Sequence, residues 1–235
     1  MNETQHFLSP ETCHALLMEI EPSSTFVRVR PMGAQGTHPA FVIEAHTARG
    51  TARQLAVKCY HSNLGPGSKR ARQEFKALQM LQKYDIPVPA PLYLDEEGTL
   101  LGMPGMVTSF VTGKQVMRAP DVLGYAREMA RVLVQIHAIP IGSAEKEFLP
   151  DANPENLWFR NTGVIPDYMI NSLDGLFVWE TIERLLPTHQ PVPPTFVHTD
   201  YWIGQLLWSR AELMRYSIGK RPVMATQPMT WPMVG

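Results

Sequence analysis

Cysteine is scarce in this sequence, with only Cys13 and Cys59 among 235 residues. Neither stands at a spacing typical of metal ligands, and two cysteines cannot build a disulfide framework, so both are expected to be reduced and structural. Long apolar runs are also absent, because no segment approaches the roughly 20 residues of a membrane-spanning helix. The sequence starts without a basic region followed by an apolar export segment, and a cytoplasmic protein is therefore expected.

Neither sign of charge is in excess. The chain has 21 Lys and Arg residues against 22 Asp and Glu, a formal net charge of -1. Without a broad basic surface, binding to nucleic acid or to an anionic membrane is not expected. The apolar content of 44% is enough to bury one sizeable core, or two smaller cores that face each other.

The first region combines strand patterns with one long helix. Segments rich in β-branched and aromatic residues and bounded by Gly, Pro or Ser predict strands at Thr25–Val29, Ala40–Glu44 and Gln54–Tyr60. A helix is predicted over Ser68–Lys83, where apolar residues recur at helical spacing. A pair of strands is predicted between Leu100 and Val111.

The second region is predicted to be mainly helical. Asp121 is expected to cap a helix whose buried side runs from Val122 to Ile136. Another helix is predicted over Tyr168–Leu186, and a proline-rich connection follows it. Residues 216–235 have no periodic apolar pattern and are expected to be irregular.

The segment Phe196–Trp208 carries the strongest functional pattern. Asp200 stands two residues after His198, and Gln205 stands five residues after Asp200. This spacing resembles the catalytic loop of the aminoglycoside phosphotransferase family, small-molecule kinases with an α+β, two-lobed protein-kinase-like fold. The resemblance implies a nucleotide-binding N-lobe over residues 1–111, with an antiparallel sheet and one helix. It also implies a mainly helical, incomplete C-lobe over 112–215 and an aberrant tail over 216–235.

The resemblance further implies ATP and Mg²⁺ as cofactors and a small-molecule hydroxyl compound as phosphate acceptor. Asp200 would accept the proton of the attacking hydroxyl, and Gln205 would lie near the metal in place of the expected Asn. The extra methylene moves the amide oxygen by about 1.5 Å, so weakened magnesium binding is expected. His198 is expected to order the loop backbone rather than to transfer protons.

Lys58 lies in a predicted strand, on the same face as Ala56 and Tyr60. The resemblance implies that Lys58 contacts the α- and β-phosphates of the nucleotide, and that Glu74, sixteen residues later in the predicted helix, holds it. The alternative is that a strand lysine and a helical glutamate are ordinary surface charges.

Two further pairs complete the implied nucleotide site. Gly33 and Gly36 lie in the loop between the first two predicted strands, where backbone amides could approach phosphate oxygens. An ordinary turn explains these glycines equally well. Ser109 and Val111 resemble the segment that joins the two lobes and pairs with the adenine edge, although a plain core strand is the alternative.

The resemblance stops after Arg215, where relatives continue into a segment whose Asp binds magnesium. Permitted codons for Tyr216–Gly235, read two bases out of frame, give LDWEEAGYGDPAYDVAYG, which contains that segment. The single-codon residues Met224, Met229, Trp231 and Met233 all fit this reading. We therefore expect a frameshifted tail on a truncated chain, and the alternative is a divergent natural tail.

These observations predict an ATP-dependent phosphotransferase of impaired activity. One alternative is a nucleotide-binding pseudokinase or interaction module without catalysis. Another is an α+β protein unrelated to kinases. The sequence does not identify the acceptor.

Overall fold

A computed structural model describes residues 8–32, 38–61, 66–151, 163–188, 193–209, 212–216 and 223–225. Contacts within the chain divide it into two compact units. The first unit consists of residues 1–135 and 198–222, and the second of residues 136–197 and 223–235. Within the described ranges, no helix has the length and apolar character needed to cross a membrane.

The first unit is built on a five-stranded antiparallel sheet in the order β1-β2-β3-β5-β4. The strands are β1 (Thr25–Pro31), β2 (Ala40–His46), β3 (Ala52–Cys59), β4 (Pro91–Asp95) and β5 (Gly105–Ser109). The first three confirm the strands that the sequence predicted. In the central register Lys58 pairs with Ala40 on one side and with Met106 on the other.

One face of this sheet is covered by α1 (Pro10–Ile20), a helix that sequence reasoning missed. Its signal was present, because Ser9 caps the helix by accepting a hydrogen bond from the amide of Thr12 over 3.1 Å, and Pro10 occupies the first turn. Alternate strand residues point at this helix and form the core. That core contains Leu8, Cys13, Leu16, Leu17, Phe41, Ile43, Ala45, Leu55, Val57, Cys59, Leu101 and Val107.

The opposite face of β3 lies towards α2 (Gly67–Lys83), which confirms the predicted helix. Its buried side carries Ala71, Glu74, Leu78 and Leu81, a spacing of three and four residues that lines up one helical face. Glu74 is the charged member of this apolar stripe. Strand alternation places Lys58 on the face of β3 that Glu74 meets.

The predicted strand pair between Leu100 and Val111 was wrong in its first member. Strand β4 begins earlier, at Pro91, and residues 96–104 connect it to β5. The cause is the buried carboxylate of Asp95, which accepts hydrogen bonds from the amides of Thr99, Leu100 and Leu101 over 2.8, 2.8 and 2.7 Å. These bonds curl the chain into a loop and use the amides that a strand ladder would need.

The first unit also contains most of α3 (Val122–His137) and a three-stranded antiparallel sheet. That sheet has the order β6 (Lys114–Gln115), β8 (Leu206–Ser209) and β9 (Glu212–Tyr216).

Asp121 caps α3 as predicted, since its Oδ1 accepts from the amide of Gly124 over 3.0 Å. The prediction that Val122 lies on the buried side was wrong, because its exposed fraction is 69%. The buried side of α3 begins one turn later, at Tyr125.

The second unit contains α4 (Ser143–Lys146), α5 (Asp167–Ile170) and α6 (Gly175–Leu185). The helix predicted over Tyr168–Leu186 is broken in two, and Asp174 takes a left-handed φ of 61° at the break. Strand β7 (Thr195–Val197) pairs antiparallel with β10 (Val223–Ala225), a short strand inside the segment that was expected to be irregular. The lobe boundary near residue 111 stays a prediction.

Candidate functional site

Lys58 and Glu74 form a two-pronged ion pair between β3 and α2. The ammonium of Lys58 donates to Oε1 of Glu74 over 2.8 Å and to Oε2 over 2.6 Å. The side chain of Glu74 is 6% exposed and that of Lys58 is 29% exposed, so the glutamate is buried while the lysine keeps part of its side chain at the surface. Neither residue is the solvated surface charge that was the alternative.

Tyr60 is a third member of this arrangement that sequence reasoning missed. Its hydroxyl donates to Oε2 of Glu74 over 2.7 Å, and its ring centre lies 5.2 Å from the ammonium of Lys58. Burial first, and then the adjacent Glu74 carboxylate, raise the pKa of Tyr60 well above its ordinary value. The hydroxyl therefore stays protonated and acts as a donor. Strand alternation, which places Tyr60 and Lys58 on the same face of the strand, could have predicted this contact.

The loop around Asp200 has a strained backbone. Thr199 has a φ of 60°, a left-handed conformation that β-branched residues rarely adopt. The amide of Asp200 donates to the carbonyl oxygen of His198 over 2.8 Å and to Nδ1 of the same residue over 3.3 Å. His198 is buried, with an exposed fraction of 2%. These contacts are those of a histidine that orders a loop backbone.

Gln205 reaches back to Asp200. Its Nε2 donates a hydrogen bond to Oδ2 of Asp200 over 2.9 Å, so the amide nitrogen faces the carboxylate. Both residues belong to the first unit. The structure thus joins two residues that the sequence placed five positions apart.

Other side chains fix the backbone between Asp200 and Gln205. The hydroxyl of Tyr201 donates to the carbonyl oxygen of Met129 in α3 over 2.9 Å, and Nε2 of Gln115 in β6 donates to the carbonyl oxygen of Gly204 over 3.0 Å. Sequence reasoning missed both contacts. The two contacts span 72 and 89 positions of the sequence, and a local sequence pattern cannot predict contacts over such separations.

Ser109 is the last residue of β5, and Val111 follows it by two residues. The amide of Ser109 donates to the carbonyl oxygen of Ala90, and its hydroxyl accepts from the amide of Ala90, both over 2.8 Å. Ser109 also lines a cavity of about 340 Å³, together with Glu44, Gln54 and other residues of β1–β3. Contact of either residue with adenine stays a prediction.

The predicted residues form two local pairs, Lys58 with Glu74 and Asp200 with Gln205. Among the described residues, no hydrogen bond or ion pair joins one pair to the other. Gly33 and Gly36 lie outside the described residues. No group of three or more His, Cys, Asp or Glu side chains in the described part of the chain could hold a metal ion. Magnesium binding by Gln205 therefore stays a prediction.

A lysine on the third strand of an antiparallel sheet, held by a helical glutamate and followed by a His-x-Asp loop, defines the kinase-like class of phosphotransferase folds. Residues 44–215 match the Phosphotransferase enzyme family, which is more than half of the chain. The chain belongs to this family. A search of curated protein sequences found no significant match.

Solved structures confirm the fold. One is a protein from Ralstonia eutropha provisionally described as an aminoglycoside phosphotransferase, with a TM-score of 0.65 at 18% identity over 92% of this chain and 66% of that one. A ternary complex of APH(2")-IIa with streptomycin and ATP has a TM-score of 0.59 at 14% identity over 93% and 74%. The macrolide 2'-phosphotransferase MphH from Brachybacterium faecium has a TM-score of 0.57 at 14% identity over 83% and 67%.

The match to the Ralstonia protein covers just under two thirds of that chain, at 66%. At these identities the likeness supports the fold, which is the α+β, kinase-like fold that the sequence predicted. Activity, substrate and partners are separate questions.

Proposed function

We propose that this protein is an ATP-dependent phosphotransferase that transfers the γ-phosphoryl group to a hydroxyl of a small molecule. The observation that carries the proposal is the ion pair between Lys58 and Glu74, with Nζ to Oε distances of 2.8 and 2.6 Å between a partly exposed lysine and a buried glutamate. Such a pair holds an ammonium in place for nucleotide phosphates. The ATP-bound state of APH(2")-IIa supports this choice of donor.

In the proposed reaction the acceptor oxygen attacks the γ-phosphorus, the bond from that phosphorus to the β–γ bridging oxygen breaks, and ADP leaves. Asp200 accepts the proton of the hydroxyl through Oδ1, because Oδ2 already accepts from Gln205. Lys58 neutralises charge on the phosphates, and Glu74 with Tyr60 fixes its position. The proposal keeps the roles that the family resemblance implies, Ser109 and Val111 at the adenine edge and Gly33 and Gly36 at the phosphates.

Magnesium is part of this chemistry in kinase-like enzymes, where it would neutralise negative charge on the phosphates. Asp200 and Gln205 carry oxygen atoms of the type that magnesium prefers. These two residues do not make a complete magnesium site, because Gln205 points its amide nitrogen, not its oxygen, at the Asp200 carboxylate. We therefore propose that the phosphotransfer activity of this chain is impaired.

Two measurements test the proposal. Purified protein is melted with and without ATP, and ADP formation is followed with a panel of hydroxylated acceptors. We expect ATP to raise the melting temperature, and one acceptor class to give ADP formation that Asp200→Asn abolishes. An absence of any nucleotide effect on wild-type protein, with Lys58→Met behaving identically, would reject the proposal.

A second candidate is nucleotide binding without transfer. The hydrogen bond from Gln205 to Asp200 favours it, because it occupies one oxygen of the proposed base. Under this alternative ATP stabilises the fold and Lys58→Met removes the effect, but no acceptor yields ADP. The same two measurements therefore separate the two candidates.

A further inference from the structure

The cavity at the end of β5 lies on the face of the sheet that carries Lys58. Its volume is about 340 Å³. Its lining includes two cross-strand pairs of β2 and β3, Glu44 with Gln54 and His46 with Ala52. Directly paired residues point to the same face of a sheet, and so do alternate residues of one strand. Gln54 therefore shares a face with Lys58, which follows four residues later in β3.

The cavity lies at a distance from Lys58 that suits the far end of a nucleotide. A strand rises by about 3.3 Å per residue, so the Cα atoms of Gln54 and Lys58 are about 13 Å apart. In a nucleotide the ribose separates the phosphates from the base. A ligand that Lys58 holds by its phosphates therefore reaches the cavity with its base. Ser109 and Thr112 also line the cavity, and they flank the segment that the family resemblance assigns to adenine.

Glu44 sets the orientation of the Gln54 amide. Nε2 of Gln54 donates to Oε1 of Glu44 over 3.4 Å. The same carboxylate accepts from Nε of Arg28 over 2.7 Å and from Nε of Arg30 over 3.2 Å. The hydrogen bond from Arg28 is the main reason that the pKa of Glu44 lies below its ordinary value. An ionised carboxylate only accepts hydrogen bonds, so the Gln54 amide turns its nitrogen towards Glu44.

Oε1 of Gln54 is therefore left as an accessible acceptor. Among the described residues it has no hydrogen-bond partner, and it is not one of the buried side-chain atoms that lack a partner. An amide oxygen accepts but does not donate, so it favours a ligand group that carries N–H or O–H. Val27 and Phe110 add apolar residues to the lining, a combination typical of small-ligand sites.

We propose that this cavity binds the base of the nucleotide and that Gln54 selects a purine with an exocyclic amino group, which donates to Oε1. The proposal rests on the proposed function, which supplies the nucleotide and its phosphate contact at Lys58. Adenine and guanine each carry one such amino group, and hypoxanthine carries none. Gln54 is thus a specificity-determining residue in addition to the segment at Ser109 and Val111.

The test is a calorimetric titration of the full chain with ATP, GTP and ITP, the hypoxanthine nucleotide. The readout is the amino preference, defined as the Kd of ITP divided by the Kd of the tighter-binding of ATP and GTP. We expect Gln54→Leu to lower this ratio about fivefold, because it removes one hydrogen bond to the amino group. Gln79→Leu, at an exposed position of α2, is the matched control and should keep the ratio of the wild type.

Two further variants separate this role from a merely structural one. Glu44→Gln lets the Gln54 amide rotate, because a glutamine donates as well as accepts, and should lower the ratio less than Gln54→Leu does. Gln54→Asn keeps the amide but withdraws it by about 1.5 Å, and carries the test if Gln54→Leu does not fold. Far-UV circular dichroism verifies the fold of each variant.

The outcomes distinguish the role of Gln54 from the proposed function. A wild type that binds ITP as tightly as ATP and GTP, or a ratio unchanged in the folded Gln54 variants, would overturn the role of Gln54 and leave the proposed function in place. A chain that binds none of the three nucleotides would reject both. A ratio that depends on Gln54, in a chain that transfers no phosphate, would retain the base site and reject the transfer.

Discussion

Nε2 of Gln205 donates a hydrogen bond to Oδ2 of Asp200 across 2.9 Å. The amide that the family resemblance assigned to magnesium is therefore engaged with the carboxylate of the proposed base. This contact holds the carboxylate in one orientation and leaves Oδ1 for a substrate hydroxyl. It also turns the amide nitrogen, which cannot bind a metal, towards the reacting group.

We expect Gln205→Asn to lower the magnesium concentration that gives half-maximal ADP formation. Asn is shorter by about 1.5 Å and releases Oδ2 of Asp200, so both carboxylate oxygens become available to a cation. The measurement is the rate of ADP formation across a magnesium titration. Gln82→Asn, at an exposed position of α2, is the matched control. An unchanged magnesium requirement in Gln205→Asn would contradict this assignment.

Tyr60→Phe should lower the free energy of unfolding by about 1–3 kcal/mol, because it removes a donor from a buried, charged acceptor while keeping the ring. Urea unfolding monitored by circular dichroism measures the change. Tyr84→Phe removes a hydroxyl from a side chain that is 43% exposed and should stay within about 0.5 kcal/mol of wild type. Equal effects of the two substitutions would show that the bond to Glu74 contributes nothing.

Lys58→Met should destabilise the fold more than the double variant Lys58→Met/Glu74→Gln does. The single change leaves the carboxylate of Glu74, 6% exposed, with Tyr60 as its remaining donor. Breaking a buried pair from one side costs about 3–5 kcal/mol, and the partial exposure of Lys58 makes this an upper bound here. A double-mutant cycle from urea unfolding gives the coupling. Additive effects would mean that the two side chains do not stabilise each other.

Local patterns predicted the parts of the site that depend on neighbouring residues. Strand alternation around Lys58 and helical spacing around Glu74 each required a short window, and β3 and α2 have nearly the predicted bounds. The prediction that the Lys58 and Glu74 side chains contact each other came from the family resemblance rather than from periodicity. The structure then supplied the 2.6 and 2.8 Å contacts.

Other features depend on tertiary contacts and could not be read locally. The loop after β4 curls because Asp95 is buried and binds three amides, and its sequence alone is compatible with a strand. The bond from Gln115 to the carbonyl oxygen of Gly204 spans 89 positions. Thr199, directly before Asp200, has a left-handed φ of 60°, which no propensity scale favours for a β-branched residue.

Stability should fall between pH 6.5 and pH 4 because of His38. Burial first, and then Arg70, Lys58 and His61, lower the pKa of His38 to about 4. Below pH 6.5 the unfolded chain binds a proton at this position while the folded chain does not, so acid favours the unfolded state. Urea unfolding at pH 7, 6 and 5 in phosphate-free buffer measures the slope. His38→Gln should reduce it, and an unchanged slope would exclude His38 as its source.

The coding DNA of residues 216–235 should contain LDWEEAGYGDPAYDVAYG when read two bases out of frame. Degenerate codons allow many readings, but Met224, Met229, Trp231 and Met233 each have one codon and all four fit. Asp200 and Gln205 alone do not complete a metal site in the described part of the chain. The out-of-frame segment contains further acidic residues whose carboxylates could complete it. Sequencing the DNA decides the matter, and codons that give no such segment would end the idea.

A protein experiment tests the same hypothesis through function. A variant in which the out-of-frame segment replaces residues 216–235 should bind ATP more tightly in the presence of magnesium than in its absence. Changing the first Asp of the new segment to Ala should remove that difference, because a carboxylate supplies the strongest oxygen ligand for magnesium. Isothermal titration of the two variants and the wild type measures it. Equal magnesium dependence in all three would show that the segment adds no metal ligand to the site around Asp200.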